Sequence, residues 1–158
     1  MLERLFDIVA SSLGLLLLCP LFDPLAILIK RESPRPVFYW GLRVGWYGKV
    51  FRIFKFRTMV ENADELGRSS TPEDDSRVTR AGRFPRRYKL DEFPQLINIV
   101  KGEMSFVGPP PQVPWAVERY TAEERAVLAV RPGITVPSCA GLMREGDSYD
   151  VSPNRPAV

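Results

Sequence analysis

Asp91 and Glu92 are adjacent carboxylates, followed by Phe93-Pro94 and by apolar residues at helical spacing: Leu96, Ile97 and Val100. Pro94 suits the first turn of a helix, where a missing N–H costs nothing. That order predicts both carboxylates at a helix N-terminus, where free N–H groups and the helix dipole favour negative charge. A plain N-cap is one reading of the pair. The other is chemical. A helix N-terminus also holds phosphate, and Arg86, a short way upstream, can grip a phosphate in a bidentate fork. An aspartate can attack phosphorus as a nucleophile, and a neighbouring glutamate can hold Mg²⁺ to screen the anions.

The sequence contains no histidine. That excludes Ser-His-Asp triads, Cys-His pairs, helical His-Glu zinc sites and histidine phospho-carriers. Cys19 and Cys139 lie far apart, which supports neither a disulfide framework nor a cysteine zinc site. Catalysis must then fall to carboxylates, Lys/Arg, hydroxyls or a metal. A chain of 158 residues with 45% apolar and 26% charged residues is long enough for one folded domain. Its net charge of +3 fits an anionic partner. The charge is also segregated. Lys30 to Arg57 holds eight bases and one acid, Glu61 to Asp75 six acids and one base, and Arg77 to Lys89 six bases and no acid. Two basic clusters thus precede the carboxylate pair, the second ending immediately before it.

The elements that must position these groups begin with an apolar segment. Leu13 to Ile29 is interrupted only by Gly14, Pro20, Asp23 and Pro24, with Arg4 before it and Lys30-Arg31 behind. Glu3 and Asp7 spoil the basic start of a cleaved signal peptide. The Leu15–Leu18 run is apolar all round, more than a small soluble domain encloses, so a membrane segment is favoured over a buried core helix. Pro20 and Pro24 predict a bend. The limbs, Leu5–Cys19 and Leu21–Ile29, would measure about 22 and 14 Å at ~1.5 Å per residue, and neither alone crosses about 30 Å of hydrocarbon. Basic residues at both ends suit a hairpin with both ends on the cytoplasmic side. The expectation is a re-entrant helix, with a kinked span as the alternative.

Beyond the Ser33–Pro36 breaker, strands are expected at Val37–Trp40 and Val50–Arg57, and a short helix over Thr58–Leu66. Residues 68–76 read as a polar loop, and Leu90–Val100 as a helix ended by Lys101-Gly102. Met104–Pro114 reads as irregular. Thr121–Glu124 is a capping box opening a helix to about Val130. The fold class is a small mixed α/β (α+β) domain. It divides into a membrane helix at 1–30, a domain at 31–145 and a frayed tail at 146–158.

Read in order, several stretches resemble the bacterial sugar transferases of the monotopic phosphoglycosyl transferase family. They are Lys55-Phe56-Arg57-Thr58-Met59, Asp75-Ser76-Arg77-Val78-Thr79-Arg80, Gly82-Arg83-Phe84, Lys89-Leu90-Asp91-Glu92-Phe93-Pro94-Gln95-Leu96, Asn98, Lys101 to Pro109, and Arg131-Pro132-Gly133-Ile134-Thr135. The series runs from about residue 4 to residue 135, and its order and spacing are far more specific than any single piece. The resemblance implies a re-entrant membrane helix kinked at Cys19-Pro20 and a domain half-sunk in the cytoplasmic leaflet of the bacterial inner membrane. It implies transfer of a sugar phosphate from a UDP-sugar to polyprenol phosphate, with release of UMP, as the first membrane step of exopolysaccharide or other glycoconjugate synthesis. Asp91 falls on the family's nucleophile, which forms an aspartyl phospho-sugar intermediate. Glu92 falls on its Mg²⁺ ligand and Arg86 on its phosphate-binding arginine. Lys55, Arg57 and Arg77 fall on basic motif positions near substrate anions.

The sequence departs from the family in places. Gly108-Pro109-Pro110-Pro111 stands where the family usually has Gly-Pro-Arg-Pro, Cys19-Pro20 where the kink is commonly Ser-Pro, and Asp23 where the residue is usually apolar. These departures leave a non-catalytic membrane-associated relative as the competing reading. A basic nucleic-acid-binding domain is supported by charge alone and opposed by the long apolar segment, so nucleic acid is not an expected partner.

Overall fold

The computed structural model describes residues 2–32, 35–60 and 75–135. Residues 68–74 of the expected polar loop, the end of the Thr58–Leu66 helix, Ser33-Pro34, Cys139 and the tail lie outside the described residues. Helix α1 (Leu2–Glu32) runs through Pro20 and Pro24 as one helix. Strands β1 (Phe38–Val44) and β2 (Val50–Phe56) form an antiparallel hairpin, with Phe38 opposite Phe56 and Val44 opposite Val50. Helix α2 (Arg80–Arg87) precedes a 3₁₀ turn at Leu90–Gln95, which leads directly into α3 (Leu96–Lys101). Strand β3 (Ser105–Val107) pairs in parallel with β4 (Gly133–Thr135), and the short helix α4 (Pro114–Glu118) lies between them in sequence.

The expected mixed helix-and-strand class is present. Both predicted strands form, the first running on to Val44 because Gly41 to Val44 keeps pace with Val50 to Ile53 opposite. Thr58–Val60 is extended rather than helical, since Met59 bridges Val78 and the Thr79 N–H donates to the Thr58 carbonyl. The capping box forms as expected. The Thr121 N–H donates to Glu124 Oε2 at 2.8 Å and the Glu124 N–H to Thr121 Oγ1 at 3.2 Å, opening a 3₁₀ helix over Glu124–Ala129. Helix α2 is the unanticipated element. A basic run containing Gly82 and Pro85 has low helix propensity, and its start is held by tertiary partners instead. Thr79 Oγ1 accepts from the Gly82 N–H, and the Glu32 carboxylate accepts from the N–H groups of Arg80 and Ala81.

Two apolar clusters carry the fold. Phe51, Ile53, Leu96, Ile99 and Met104 meet Leu15 and Leu18 of α1; Phe56 packs among Leu25, Ile29, Phe22 and Phe38. One face of α1 is therefore part of the domain's core, and Asp7, Ser11, Leu25 and Ile29 are buried on it. The remainder is apolar and bare, with Leu16 72% and Leu17 67% exposed. By length and mean hydropathy of 2.1, α1 is able to cross a membrane. Its polar residues are clamps. Arg4 donates to the carbonyls of Ile99 (2.5 Å) and Val100 (2.8 Å), closing the C-terminus of α3. Gly102 there takes φ 89°, which a side chain would strain. Asp7 accepts from Ser105 Oγ at 2.9 Å and from the Phe106 N–H at 3.4 Å. Glu32 closes the start of α2. Both ends of one helix are thus fastened to one small domain.

Candidate active site

The carboxylate pair sits in the first turn of the Leu90–Gln95 segment. Pro94 has no N–H to return to Leu90, so this stretch is a 3₁₀ turn and the regular helix starts only at Leu96. The N-cap position belongs to Lys89 in a left-handed conformation, φ 56°, and no side chain caps the turn. The plain N-cap reading of Asp91 and Glu92 is therefore not what the chain does. A non-glycine residue at positive φ costs energy that the surroundings must supply, and here it turns the backbone immediately before Asp91.

Asp91 is 7% exposed, and its Oδ1 finds no hydrogen-bond partner among the described residues. Burial pushes its carboxyl above the usual carboxylate range; the Lys55 and Arg86 cations oppose that rise and the Glu92 charge adds to it. Glu92 is half-buried, and its Oε1 accepts from Lys55 Nζ at 2.8 Å. Lys55 reaches it because β2 packs on the Leu90–Gln95 turn. That packing is fixed by Asn98, fully buried on α3. Its Oδ1 accepts from the Phe54 N–H (3.0 Å), and its Nδ2 donates to the Arg52 carbonyl (2.8 Å) and to Glu103 Oε2 (2.7 Å). The two bonds to β2 register strand against helix, and losing either would cost about 1–3 kcal/mol.

Arg86, on α2, is near enough to bias both Asp91 and Asp75 electrostatically. Arg77 is buried and holds Asp75 through Nε and Nη2 (2.6 Å for the shortest contact). Those hydrogen bonds hold the Asp75 carboxyl at about 2, so the pair keeps its charges far into the acid range. Arg57 follows β2, its N–H donating to the Val37 carbonyl, two residues along an extended chain from Lys55. The structure thus gathers Lys55, Arg86, Asp91 and Glu92 in one place. It sets Arg77 beside them within its own ion pair. Asp75 is the neighbour that sequence reasoning passed over, although it opens the quoted Asp75–Arg80 stretch. Pro110 lines a separate shallow cleft with Val44, Tyr120, Val127 and Pro132, whose lining includes neither carboxylate.

Among the described residues no cluster of three His, Cys, Asp or Glu side chains could cage a metal alone. Mg²⁺ seldom asks for one, being commonly held by one or two carboxylates with the remaining positions filled by water and substrate phosphates. An unpartnered carboxylate oxygen on Asp91 beside Glu92 fits that kind of site. What the arrangement supplies chemically is a desolvated carboxylate with a free oxygen, a second carboxylate, and two cations able to meet phosphate.

Comparison with known proteins agrees with this chemistry. The bacterial sugar transferase family matches residues 1–150. A UDP-N-acetylgalactosamine-undecaprenyl-phosphate N-acetylgalactosaminephosphotransferase of Aeromonas hydrophila is 39% identical over 137 residues, 85% of this chain and 32% of that protein. An undecaprenyl-phosphate glucose phosphotransferase of Komagataeibacter xylinus is 44% identical over 144 residues, covering 84% and 26% respectively. The exopolysaccharide production protein ExoY of Rhizobium meliloti is 38% identical over 167 residues, covering 96% and 72%. The chain spans about a third or less of the first two relatives and most of the third. With the family matched over nearly its whole length, the chain belongs to the bacterial sugar transferases.

Proposed function

We propose that the protein is a membrane phosphoglycosyl transferase that moves a sugar phosphate from a UDP-sugar to polyprenol phosphate at the cytoplasmic face of the bacterial inner membrane. The observation that carries this reading is the buried Oδ1 of Asp91, unpartnered among the described residues, on a carboxylate that feels the charges of Lys55, Arg86 and Glu92. In the first step an Asp91 oxygen attacks the sugar-bearing phosphorus of the donor. The bond from that phosphorus to the bridging oxygen breaks, and UMP leaves with the electron pair. In the second step a phosphate oxygen of the polyprenol carrier attacks the same phosphorus, the bond to Asp91 breaks, and the carboxylate is regenerated. Lys55 and Arg86 meet the charge on the phosphates. Mg²⁺ held by Glu92 and the donor phosphates would neutralise the leaving group. Arg57 is a further anion-facing base on the same approach, whereas Arg77 is buried and committed to Asp75.

A non-catalytic relative is the weaker reading, even with Pro110 in place of an arginine. A site freed from turnover has no reason to keep a buried carboxylate unpaired, since that costs stability. The test is UMP release from a set of UDP-sugars in the presence of polyprenol phosphate. Release with at least one donor is expected, and none with any donor would favour the non-catalytic reading.

The clamps at the two ends of α1 support a membrane arrangement. From Arg4 to Glu32 a straight helix covers about 42 Å at ~1.5 Å per residue, yet both residues bind the same small domain. Fastening of this kind supports a topology with both ends on one side of the bilayer. We read α1 as re-entrant, its bare apolar face in the cytoplasmic leaflet and Asp23 within reach of headgroups. Single cysteines replacing Met1 and Lys30, in a chain lacking the native cysteines, should react with an impermeant reagent from the same side of sealed vesicles. Labelling from opposite sides would show a span.

A further inference from the structure

Helix α3 closes on a reversal. Gly102 takes φ 89° and ψ 9°, the left-handed conformation that turns a chain back over the last turn of its helix. Two backbone bonds complete the motif. The Gly102 N–H donates to the Ile99 carbonyl at 2.9 Å, and the Glu103 N–H to the Asn98 carbonyl at 3.0 Å. This return sets the side chain after the glycine beside the one a turn earlier, a pair that is often an apolar contact. Here the pair is Glu103 and Asn98. Asn98 is fully buried, and its Nδ2 donates to Glu103 Oε2 at 2.7 Å. A carboxylate and an amide thus stand where the local rule favours hydrocarbon. Departures of this kind gather at functional sites.

The amide has a second task. Its other Nδ2 proton goes to the Arg52 carbonyl at 2.8 Å, and its Oδ1 accepts from the Phe54 N–H at 3.0 Å. A carboxylate accepts and never donates, so Glu103 admits only the orientation in which Oδ1 faces that N–H. Without Glu103, one N–H of a buried amide loses its acceptor and the amide is free to tilt off the strand. Lys55 follows Phe54 directly on β2, and the turn that carries Asp91 and Glu92 runs straight into α3. Asn98 is therefore the link between the strand of the cation and the helix of the carboxylates, whose meeting point is Lys55 Nζ at 2.8 Å from Glu92 Oε1.

We propose that Glu103 is a positioning residue for the carboxylate site: through Asn98 it holds β2 in the register that places Lys55 at Glu92 and at the phosphate to be transferred. This rests on the transferase reading given above. Glu103 touches no substrate in this role. It supplies an acceptor at a set reach, so its shape is required and its charge is not. A glutamine carbonyl has the same reach, and an alanine has no acceptor. Moving a phosphate-binding cation by about 1 Å is enough to cost about a hundredfold in rate.

The test measures UMP release by the full chain in vesicles containing polyprenol phosphate, together with hydrogen exchange of the β2 amides. Glu103→Ala should lower kcat by about 10–10²-fold, with KM for the UDP-sugar moved less than about twofold, because the Lys55 contact is made in the transition state. Glu103→Gln should bring kcat back to near the parent value. In a Lys55→Met background, Glu103→Ala should cost nothing further. Exchange at Arg52–Lys55 should quicken several-fold in Glu103→Ala and stay at the parent rate in Glu103→Gln. Where Glu103→Ala does not fold, Glu103→Asp replaces it, keeping the charge but not the reach, and should be slower than Glu103→Gln. The reverse order overturns the proposal, as do a loss confined to KM, losses that add with Lys55→Met, or unchanged β2 exchange. A parent that releases UMP while Glu103→Ala matches it overturns the role of Glu103 alone. A parent that releases none from any donor overturns the transferase reading, and this role with it.

Discussion

Asp91→Asn is expected to lose UMP release by a factor on the order of 10⁴–10⁶, the scale seen when a covalent nucleophile is removed. An amide is no substitute, because it has no charge to give to phosphorus. The same substitution should leave the fold intact or firmer. Burial raises the Asp91 carboxyl above its ordinary range, so the folded state holds that proton more tightly than the unfolded chain does. For a carboxyl raised in this sense, stability falls as pH climbs through the window between the two values, and the full cost stands above both. Asparagine never ionises and escapes that cost. Thermal melts at neutral pH should give Asp91→Asn a Tm at or above that of the parent. Intact-protein mass spectrometry after adding UDP-sugar should show a phospho-sugar adduct on the parent and none on the variant. An Asp91→Asn protein that turns over at the parent rate would remove the assignment.

That trade of stability for reactivity was only half visible in the sequence. Asp91-Glu92 before Phe93-Pro94 marked a carboxylate pair at the start of a helical turn, and the ordered motifs marked its family. Neither could say that the N-cap role would pass to Lys89 at positive φ, because that conformation is imposed by tertiary packing. Asn98 is similar: a polar residue on an apolar helical face reads as a defect until the Arg52 carbonyl and the Phe54 N–H are brought beside it. The hairpin was legible because its aromatic and β-branched residues follow a local rule. Helix α2 was not, since its start is secured by Glu32, far away in sequence, and local propensity argues against it. The three-residue strands β3 and β4 carry no periodicity to read; parallel pairing across a long connection defines them. The apolar character of α1 was plain, whereas its attachment at both ends rested on single polar residues with remote partners.

Lys55 and Glu92 give the second large effect, and their variants should move the same quantity in opposite directions. The attacking carboxylate must be ionised, so UMP release should rise with pH through the raised Asp91 value and be lost as pH falls below it. The Lys55 cation holds that value down, and the Glu92 anion holds it up. Lys55→Met removes the cation, so the acid limb of the pH–rate profile should move to higher pH. At neutral pH the rate should also fall by about 10²–10³, as expected for the loss of one charge-assisted contact to the transferred phosphate. Glu92→Gln removes the anion and leaves Lys55 without its 2.8 Å partner, so the cation acts on Asp91 more fully. Its acid limb should move to lower pH, even as turnover drops and the dependence on Mg²⁺ weakens. Two variants that merely loosened the turn would shift the limb the same way or not at all. Opposite shifts, measured as UMP release across the acid range at saturating Mg²⁺, require that both side chains act on one carboxylate, and parallel shifts would remove Asp91 as the titrating group.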